Sequence, residues 1–497
     1  MLLRQRLRTS LLAPAALLCA LGVAISPPYA AAATAAASAV PAADAGPAHG
    51  VVGISDAHLD PRFWIARLPQ ADHVLLDAEA IAVQNERLLR LDRSMHDLRT
   101  MPARLPRAKV AGWITALSQR PKLPRFDGSG EPVTEATLDG LLASLDLDAI
   151  PAQQPTRYGL VVRRAALRTF PTSLRIFNQP GDTDIDRFQE SALFPGDPVV
   201  IGHRSRDRDW LFVVSPRYAA WIRAEDVAEG PAAQVLGYAE KAPYRIVTGA
   251  TARTVFTPQQ PSVSGLQLEM GVRVPVLDRW PAGEAVNGQH PYTSHVIELP
   301  MRDGDGRLQL VPALLPRIAD SVGEALPLTR ANLISQSFKF LGERYGWGHD
   351  YNARDCSGFI SEIYRGFGVQ IPRNTGAQAT SPALDPITFD TTPGGAARAA
   401  AIADLQAGDL VYIPGHVLLV IGHVDGQPYV IHDINGGSYL AADGRLGNLR
   451  LNGVSVTPLL PLMLDERQRY VDRITSIVRM GRAASAVVAA DRGPTAP

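Results

Sequence analysis

The sequence is poor in cysteine, because its 497 residues contain only Cys19 and Cys356. Two cysteines form at most one disulfide, which excludes the disulfide framework that small exported domains commonly use. The chain also lacks an excess of charge of one sign, since Lys plus Arg and Asp plus Glu both amount to 49. A balanced chain has no broad positive charge to capture nucleic acid or an anionic membrane, so neither partner is expected.

Residues 1–32 have the pattern of a secretory signal. A basic start is followed by the apolar run LLAPAALLCALGVAI and by three alanines that fit a cleavage site. The alternative, a membrane anchor, is less favoured because the run is shorter than the roughly 20 residues that span a bilayer. Leu18 before Cys19 does not fit a lipoprotein signal. We expect cleavage and export to the periplasm or cell envelope, with no membrane span in the mature chain.

Cleavage would leave Cys356 as the single cysteine of the mature chain, either as an inert buried residue or as a reactive thiol. The loop-like stretch GHDYNARD precedes it, and the pattern CSGFISEIYRGFG predicts a helix that starts at Cys356. A helix N-terminus favours negative charge and lowers the pKa of a thiol. This polar setting favours the reactive thiol.

The pattern of apolar and turn-forming residues changes several times after the Ala/Pro-rich residues 33–50. Residues 51–150 show helical spacing of apolar side chains. Residues 155–235 and 240–325 contain short β-type runs separated by Gly, Pro and Asp, which is typical of small barrels. Residues 328–480 contain helices followed by strands, which predicts an α+β domain.

Two histidines lie on neighbouring predicted strands of this last region. His416 opens the run HVLLVIG, His432 ends PYVIH, and a turn around Asp425 and Gly426 predicts a hairpin between them. The hairpin could bring both imidazoles to one edge of the sheet, where they would serve as the base and orienting group that a cysteine nucleophile needs. The alternative is two surface histidines. His423 lies in the predicted turn and receives no role.

The stretches YGWGHDYNARDCSGF, VQIPRNTGAQA, AGDLVYIPGHVLLVIG and YVIHD occur in this order, and together they resemble the NlpC-type cell-wall cysteine peptidases. The resemblance implies a papain-like core with Cys356 as nucleophile, His416 as base and His432 as third residue. It implies no metal or other cofactor. His349 and Arg354 depart from the usual family pattern, and His349 is expected to narrow or contact the groove.

Upstream segments resemble a multidomain branch of this family, the γ-D-glutamyl-L-diamino acid endopeptidases with bacterial SH3-like domains. In that branch the first barrel borders the active site and helps to select a free N-terminal L-Ala. The resemblance implies that Tyr345, Asp355, Ser357 and Tyr218 contact the peptide terminus. Asp355 has the alternative role of a helix N-cap, and Tyr218 that of a barrel-surface aromatic residue.

The predicted fold class is α+β: a papain-like catalytic domain preceded by two SH3-like barrels and a mainly helical segment. A monomeric hydrolase of peptidoglycan peptides is expected, with a catalytically inactive wall-binding protein and an acyl transferase as alternatives. The predicted divisions are signal peptide 1–32, linker 33–50, helical segment 51–150, first barrel 155–235, second barrel 240–325, peptidase domain 328–480 and disordered tail 484–497.

Overall fold

A computed structural model describes residues 50–390, 392, 394–440 and 444–481. The predicted signal peptide, nearly all of the linker and the predicted tail lie outside the described residues, as does Cys19. In the described ranges, no helix is both long and apolar enough to cross a membrane.

The N-terminal segment is mainly helical, as predicted, with short strands between its helices. Thr134 caps one helix by accepting a hydrogen bond from the Thr137 backbone N–H at 3.2 Å. The elements are α1 (Pro61–Ile65), β1 (Val74–Leu76), α2 (Ala78–Leu91), β2 (Arg104–Pro106), α3 (Arg107–Leu117), α4 (Glu135–Ser144) and β3 (Gln153–Pro155).

This N-terminal segment is divided between two hydrophobic cores. Phe63 and Trp64 of α1 are buried with side chains of the C-terminal region. Val110 and Ile114 of α3 are buried with aromatic residues of the first β-region, among them Trp221. Each helix thus covers apolar surface of a different part of the chain.

The first β-region forms a sheet with the strand order β10-β4-β7-β8-β9-β5-β6. Trp210 and Trp221 are buried in its core. The strands are β4 (Arg157–Val161), β5 (Ala165–Arg168), β6 (Gln189–Leu193), β7 (Pro198–Arg204), β8 (Trp210–Val214), β9 (Ala219–Arg223) and β10 (Val227–Gly230), and α5 (Ala232–Gly237) follows.

The sheet does not close into a hydrogen-bonded barrel, since among the described residues no ladder joins β10 to β6. Both of its edges meet other parts of the chain instead. At β10, the Glu229 backbone N–H donates to the Gly306 carbonyl at 2.9 Å. At β6, the Gln189 side chain donates to the Gly348 carbonyl at 2.8 Å, and Trp347 donates to the Gln189 carbonyl at 3.1 Å. These contacts cover the two edge strands, which closure of the sheet into a barrel would otherwise have to pair with each other.

The second β-region consists of separate antiparallel ladders, β14-β11-β17, β12-β13 and the long hairpin β15-β16. No closed barrel forms in the described part of this region either, and its SH3-like character stays a prediction. The strands are β11 (Tyr244–Val247), β12 (Thr251–Arg253), β13 (Gln267–Glu269), β14 (Arg273–Pro275), β15 (Ser294–Arg302), β16 (Leu308–Pro316) and β17 (Ser321–Val322).

The C-terminal region is the predicted α+β domain. Helix α7 packs on the antiparallel sheet β19-β27-β20-β21-β22-β25, and its Phe359 and Ile363 are fully buried. The elements are β18 (Leu328–Thr329), α6 (Arg330–Phe338), α7 (Cys356–Arg365), α8 (Thr375–Thr380), β19 (Ile387–Thr388), α9 (Ala396–Ala403), β20 (Leu410–Ile413), β21 (His416–Val424), β22 (Gln427–Ile434), β23 (Gly437–Leu440), β24 (Leu446–Leu449), β25 (Gly453–Pro458), β26 (Leu462–Met463) and β27 (Ser476–Val478).

The hairpin between β21 and β22 forms where the sequence predicts it. Asp425 and Gly426 both have positive φ angles, +50° and +76°, which a tight two-residue hairpin turn requires. The turn fixes the register of the two strands, and this register determines where His416 and His432 lie relative to each other.

Candidate active site

Cys356 is the first residue of α7, and its side chain is buried, with 5% of the residue exposed. Asp355 caps the helix by accepting a hydrogen bond from the Gly358 backbone N–H at 2.8 Å. The sulfur lies 3.6 Å from the Thr375 hydroxyl and 3.9 Å from the Gly415 carbonyl. The thiol therefore lies between the helix N-terminus, the start of α8 and the residue before β21.

His416 and His432 form a hydrogen-bonded pair, with 2.8 Å between His416 Nε2 and His432 Nδ1. They are not directly opposite each other. Continuing the register Leu419–Ile431 places His432 opposite Leu418, so His416 is its diagonal neighbour on the same face. His432 is fully buried, and its Nε2 lies 3.0 Å from the Thr457 hydroxyl.

His416 makes no hydrogen bond to the thiol in the described part of the chain, but its two chain neighbours do. The residues on both sides of His416 reach the sulfur: Gly415 through its carbonyl, and Val417 through a backbone hydrogen bond that favours the thiolate. The sequence-predicted set of Cys356, His416 and His432 is therefore brought together around the start of β21.

The pKa of the Cys356 thiol differs from what the sequence led us to expect. Burial, with a further contribution from the Asp355 carboxylate, raises the pKa of the Cys356 thiol to about 12, whereas a helix N-terminus alone was expected to lower it. Burial also lowers the pKa of His416 to about 4 and that of His432 well below its usual value. The closed site thus favours a neutral thiol beside a neutral imidazole.

Asp355 is held by a bidentate ion pair with Arg373, at 2.8 and 3.1 Å. Ser357 joins the pair, donating to Asp355 at 3.2 Å and accepting from Arg373 at 2.9 Å. Burial alone would raise the pKa of Asp355, but the charge of Arg373 outweighs it and lowers the pKa to about 2. Asp355 is therefore both the helix cap and the partner of an internal arginine, and the N-cap role that the sequence left open is observed.

His349 and Arg354, the two departures from the family pattern, belong to a buried network beneath α7. His349 Nε2 lies 2.6 Å from Glu362, and its Nδ1 lies 2.9 Å from Arg373. Arg354 donates to the other oxygen of Glu362 at 2.9 Å. Burial, together with Arg373, lowers the pKa of His349 to about 4, which matches a neutral ring that donates to Glu362 and accepts from Arg373. The His349 side chain is thus buried against Glu362 and Arg373, and its contact with the groove stays a prediction.

The first β-region contributes side chains that contact the segment holding Thr375, whose hydroxyl lies 3.6 Å from the sulfur. The Tyr218 hydroxyl donates to the Glu190 carboxylate, and it also hydrogen-bonds Asn374, the neighbour of Thr375. Burial, followed by the charge of Glu190, raises the pKa of Tyr218. The sequence did not point to Glu190, because an isolated glutamate on a strand carries no motif.

Tyr345 is buried near the thiol, with 8% of the residue exposed. Burial raises its pKa well above the usual value, and the nearby Cys356 and Asp355 add to the effect. In the described ranges, no group of three or more His, Cys, Asp or Glu side chains is placed to hold a metal ion.

Residues 342–444, which contain the thiol and both histidines, match the NlpC/P60 family model. The chain carries an NlpC/P60 domain. Residues 175–223 match the model of an SH3 domain of the SH3b1 type. The predicted family is confirmed, and with it the assignment to the cysteine peptidases and the SH3-like character of the first β-region.

Two relatives match part of the chain. A "Probable endopeptidase" of Corynebacterium glutamicum (strain R) is 28% identical over 222 residues, which cover 44% of this chain and 86% of that protein. A "Probable endopeptidase p60" of Listeria seeligeri is 31% identical over 128 residues, which cover 23% of this chain and 22% of that protein.

One solved structure resembles most of the chain. It is described as a novel NlpC/P60 endopeptidase from Photobacterium damselae subsp. piscicida. With a TM-score of 0.66 and 16% identity, it covers 84% of this chain and 96% of that protein. At this identity the likeness concerns the fold, and it extends well beyond the NlpC/P60 domain.

Asp433 is a buried carboxyl next to His432. Both of its oxygens lack a hydrogen-bond partner in the described part of the chain. Burial, followed by the charges of Asp355 and Glu343, raises its pKa well above the usual value. The raised pKa favours the protonated form of Asp433 in the folded protein, so its contribution to stability falls as the pH rises above the pKa of an unfolded aspartate.

We expect Asp433→Asn to raise the melting temperature, little at pH 4 and clearly at pH 8. The amide is neutral at every pH, so the variant avoids the cost of keeping a proton on the carboxyl. Thermal unfolding at both pH values checks this. Asp409→Asn is the control, because Asp409 is also buried but pairs with Arg479 at 2.8 Å, and its loss should destabilise. A uniform destabilisation of Asp433→Asn would contradict the prediction.

We expect Arg373→Met to lower the free energy of unfolding by about 3–5 kcal/mol, because it leaves the buried Asp355 charge unpaired. Urea unfolding at pH 7 measures this. The matched control is Arg107→Met, whose pair with Asp148 is exposed and should contribute less than about 1 kcal/mol. Equal losses in the two variants would refute the role given to Arg373.

Proposed function

We propose that this NlpC/P60 protein is a hydrolase of bacterial cell-wall peptides that cleaves the bond between γ-D-glutamate and a diamino acid, with Cys356 as nucleophile. The observation that carries the proposal is the position of the thiol at a helix N-terminus, with both chain neighbours of His416 against its sulfur and His432 on the far nitrogen of His416.

The hydrogen-bond chain behind His416 supports its role as the base. In the proposed tautomer His432 Nε2 donates to Thr457, 3.0 Å away, so that His432 Nδ1 accepts the N–H of His416 Nε2 at 2.8 Å. His416 Nδ1 is then left with its lone pair free. Fixing the tautomer in this way is what the third member of a nucleophile–base–orienter set does.

In the proposed reaction, His416 Nδ1 takes the Cys356 proton as the sulfur attacks the γ-carbonyl carbon of D-glutamate. The backbone N–H of Cys356, at the start of α7, stabilises the oxyanion. His416 then gives its proton to the leaving amine of the diamino acid, and water hydrolyses the thioester. Burial disfavours both the Cys356 thiolate and the His416 imidazolium in the resting site. Proton transfer from Cys356 to His416 is therefore expected in the same step as the attack that forms the oxyanion.

We further propose that the substrate carries a free N-terminal L-Ala, and that Glu190 is the main partner of its ammonium group. Asp355, the residue that the family resemblance suggests, is already neutralised by Arg373. Glu190 is half-buried and accepts from Tyr218 and Thr169, but it has no ion pair among the described residues. A cationic terminus would supply that missing charge through a charge-assisted hydrogen bond.

The intact arrangement of thiol and histidines disfavours the alternative of an inactive wall-binding protein. Acyl transfer to an amine passes through the same thioester, so the products decide between hydrolysis and transfer. Mass spectrometry of defined muropeptides incubated with the enzyme measures this directly, and a predominant amide product would replace hydrolysis by transfer.

We expect a graded loss of activity along the proposed catalytic set. Cys356→Ala should abolish turnover, because no nucleophile remains. His416→Ala should lower kcat by about 10²–10⁴-fold through loss of the base, and His432→Ala by roughly tenfold through loss of one orienting hydrogen bond. Steady-state rates on a defined wall tripeptide measure this. His423→Ala is the control, and a silent His432→Ala would disprove the orienting role.

We expect the wild-type enzyme to cleave a peptide with a free N-terminal L-Ala at least tenfold faster than its N-acetylated form, since acetylation removes the charge that Glu190 would pair with. In Glu190→Gln this ratio should fall toward one. Glu225→Gln, an exposed glutamate of the same region, is the control. Equal wild-type rates on both peptides would disprove selection of a free amine and leave the Cys356 chemistry untouched.

A further inference from the structure

A cavity of about 240 Å³ lies at the C-terminal end of α7, away from the thiol. Arg365 in its lining lies nine positions after Cys356 on the helix, a rise of about 13 Å at roughly 1.5 Å per residue. The N-terminal segment and the first β-region provide the other walls. The volume equals that of about eight water molecules, so it suits a small ligand.

The lining combines apolar side chains with an unbalanced guanidinium. Leu89, Leu193 and Leu236 provide hydrocarbon surface. Arg217 makes no ion pair or side-chain hydrogen bond with any residue in the part of the chain that the structure describes. An arginine that is half-buried without a carboxylate partner is unusual, because desolvating a charge is costly unless it is paired.

Arg365 has a spare donor at the same cavity. Its Nη2 donates to Asp197 at 3.1 Å, but its buried Nη1 has no hydrogen-bond partner in the described ranges. Two guanidinium groups with N–H donors that lack a partner among the described residues thus line the same cavity. The other charged residues of the lining are Arg99, which pairs with Glu240, and Asp97, which accepts the Arg99 backbone N–H at 2.9 Å.

The electrostatics agree with a missing anion. Burial lowers the pKa of Arg217 to about 10, and the positive charge of Arg365 contributes to the shift. Burial also lowers the pKa of the nearby His96, so this imidazole adds no positive charge at neutral pH. Asp197 of the lining offsets only part of this positive charge, so one further negative charge would balance the two arginines.

We propose that this cavity is a binding site for a small organic monocarboxylate, with its carboxylate between Arg217 and Arg365 and its hydrocarbon chain against the three leucines. A planar carboxylate matches the forked donors of arginine. The apolar walls favour a ligand with a hydrocarbon body over inorganic phosphate, whose second charge would have no further unpaired cation. The site is separate from the candidate active site and does not depend on the proposed reaction.

Titration of the full-length mature protein with hexanoate, followed by isothermal calorimetry and ligand-observed NMR, tests the proposal. Hexanamide is the matched neutral probe, and inorganic phosphate is the matched anion without a hydrocarbon chain. We expect saturable binding of hexanoate at one site, and binding at least tenfold weaker for each of the other two probes.

Arg217→Gln should weaken hexanoate binding at least tenfold, because it removes the unpaired charge. Arg217→Lys keeps the charge without the fork and should bind with intermediate affinity, which preserves the test if the glutamine variant folds poorly. Arg208→Gln, at an exposed turn of the same β-region, is the control and should bind as the wild type does. Equal affinity for hexanoate and hexanamide, unchanged binding in Arg217→Gln, or no saturable binding up to 10-fold molar excess over millimolar protein would overturn the proposal.

Discussion

The bidentate pair between Arg373 and Asp355 is the interaction on which the candidate active site depends. Asp355 fixes the first turn of α7, and Cys356 is the next residue. Arg373 reaches in addition to Ser191 of the first β-region at 2.7 Å and to His349 beneath the helix. One buried guanidinium thus joins the N-cap of α7 to the SH3-like region and to the buried network around His349. A fully desolvated pair of this kind imposes one geometry, because any displaced member would leave a buried charge unsatisfied.

The same network explains why the first β-region is part of the candidate site and not an appended module. Its edge strand β6 contributes Glu190, Ser191 and the Gln189 contact to the loop before α7. Tyr218 approaches from the loop before β9 and meets Asn374. An open sheet edge that pairs with the catalytic domain can place these groups, whereas a closed barrel would present only loops and outward-facing side chains.

Local patterns predicted much of this architecture. Periodicity and turn chemistry over a few residues predicted the helix from Cys356 and the turn at Asp425 and Gly426. The same patterns placed the two histidines on neighbouring strands. What escaped prediction depends on distant partners. Glu190 becomes a candidate site residue only through its hydrogen bond with Tyr218, which lies far from it in sequence. The raised pKa of Cys356 arises from burial that no local motif encodes. The open ladders likewise result from contacts between remote segments.

The division of the N-terminal segment between two cores has a consequence for the order in which the chain folds. Phe63 and Trp64 find their apolar partners in the C-terminal region, and the Tyr429 hydroxyl donates to the Gly53 carbonyl across 376 positions of sequence. During synthesis these early residues leave the ribosome long before their partners exist. Helix α1 therefore has to wait, with its aromatic face uncovered, until nearly the whole polypeptide is available. Such long-range closure is slow, so the incomplete chain exposes apolar surface that is prone to self-association.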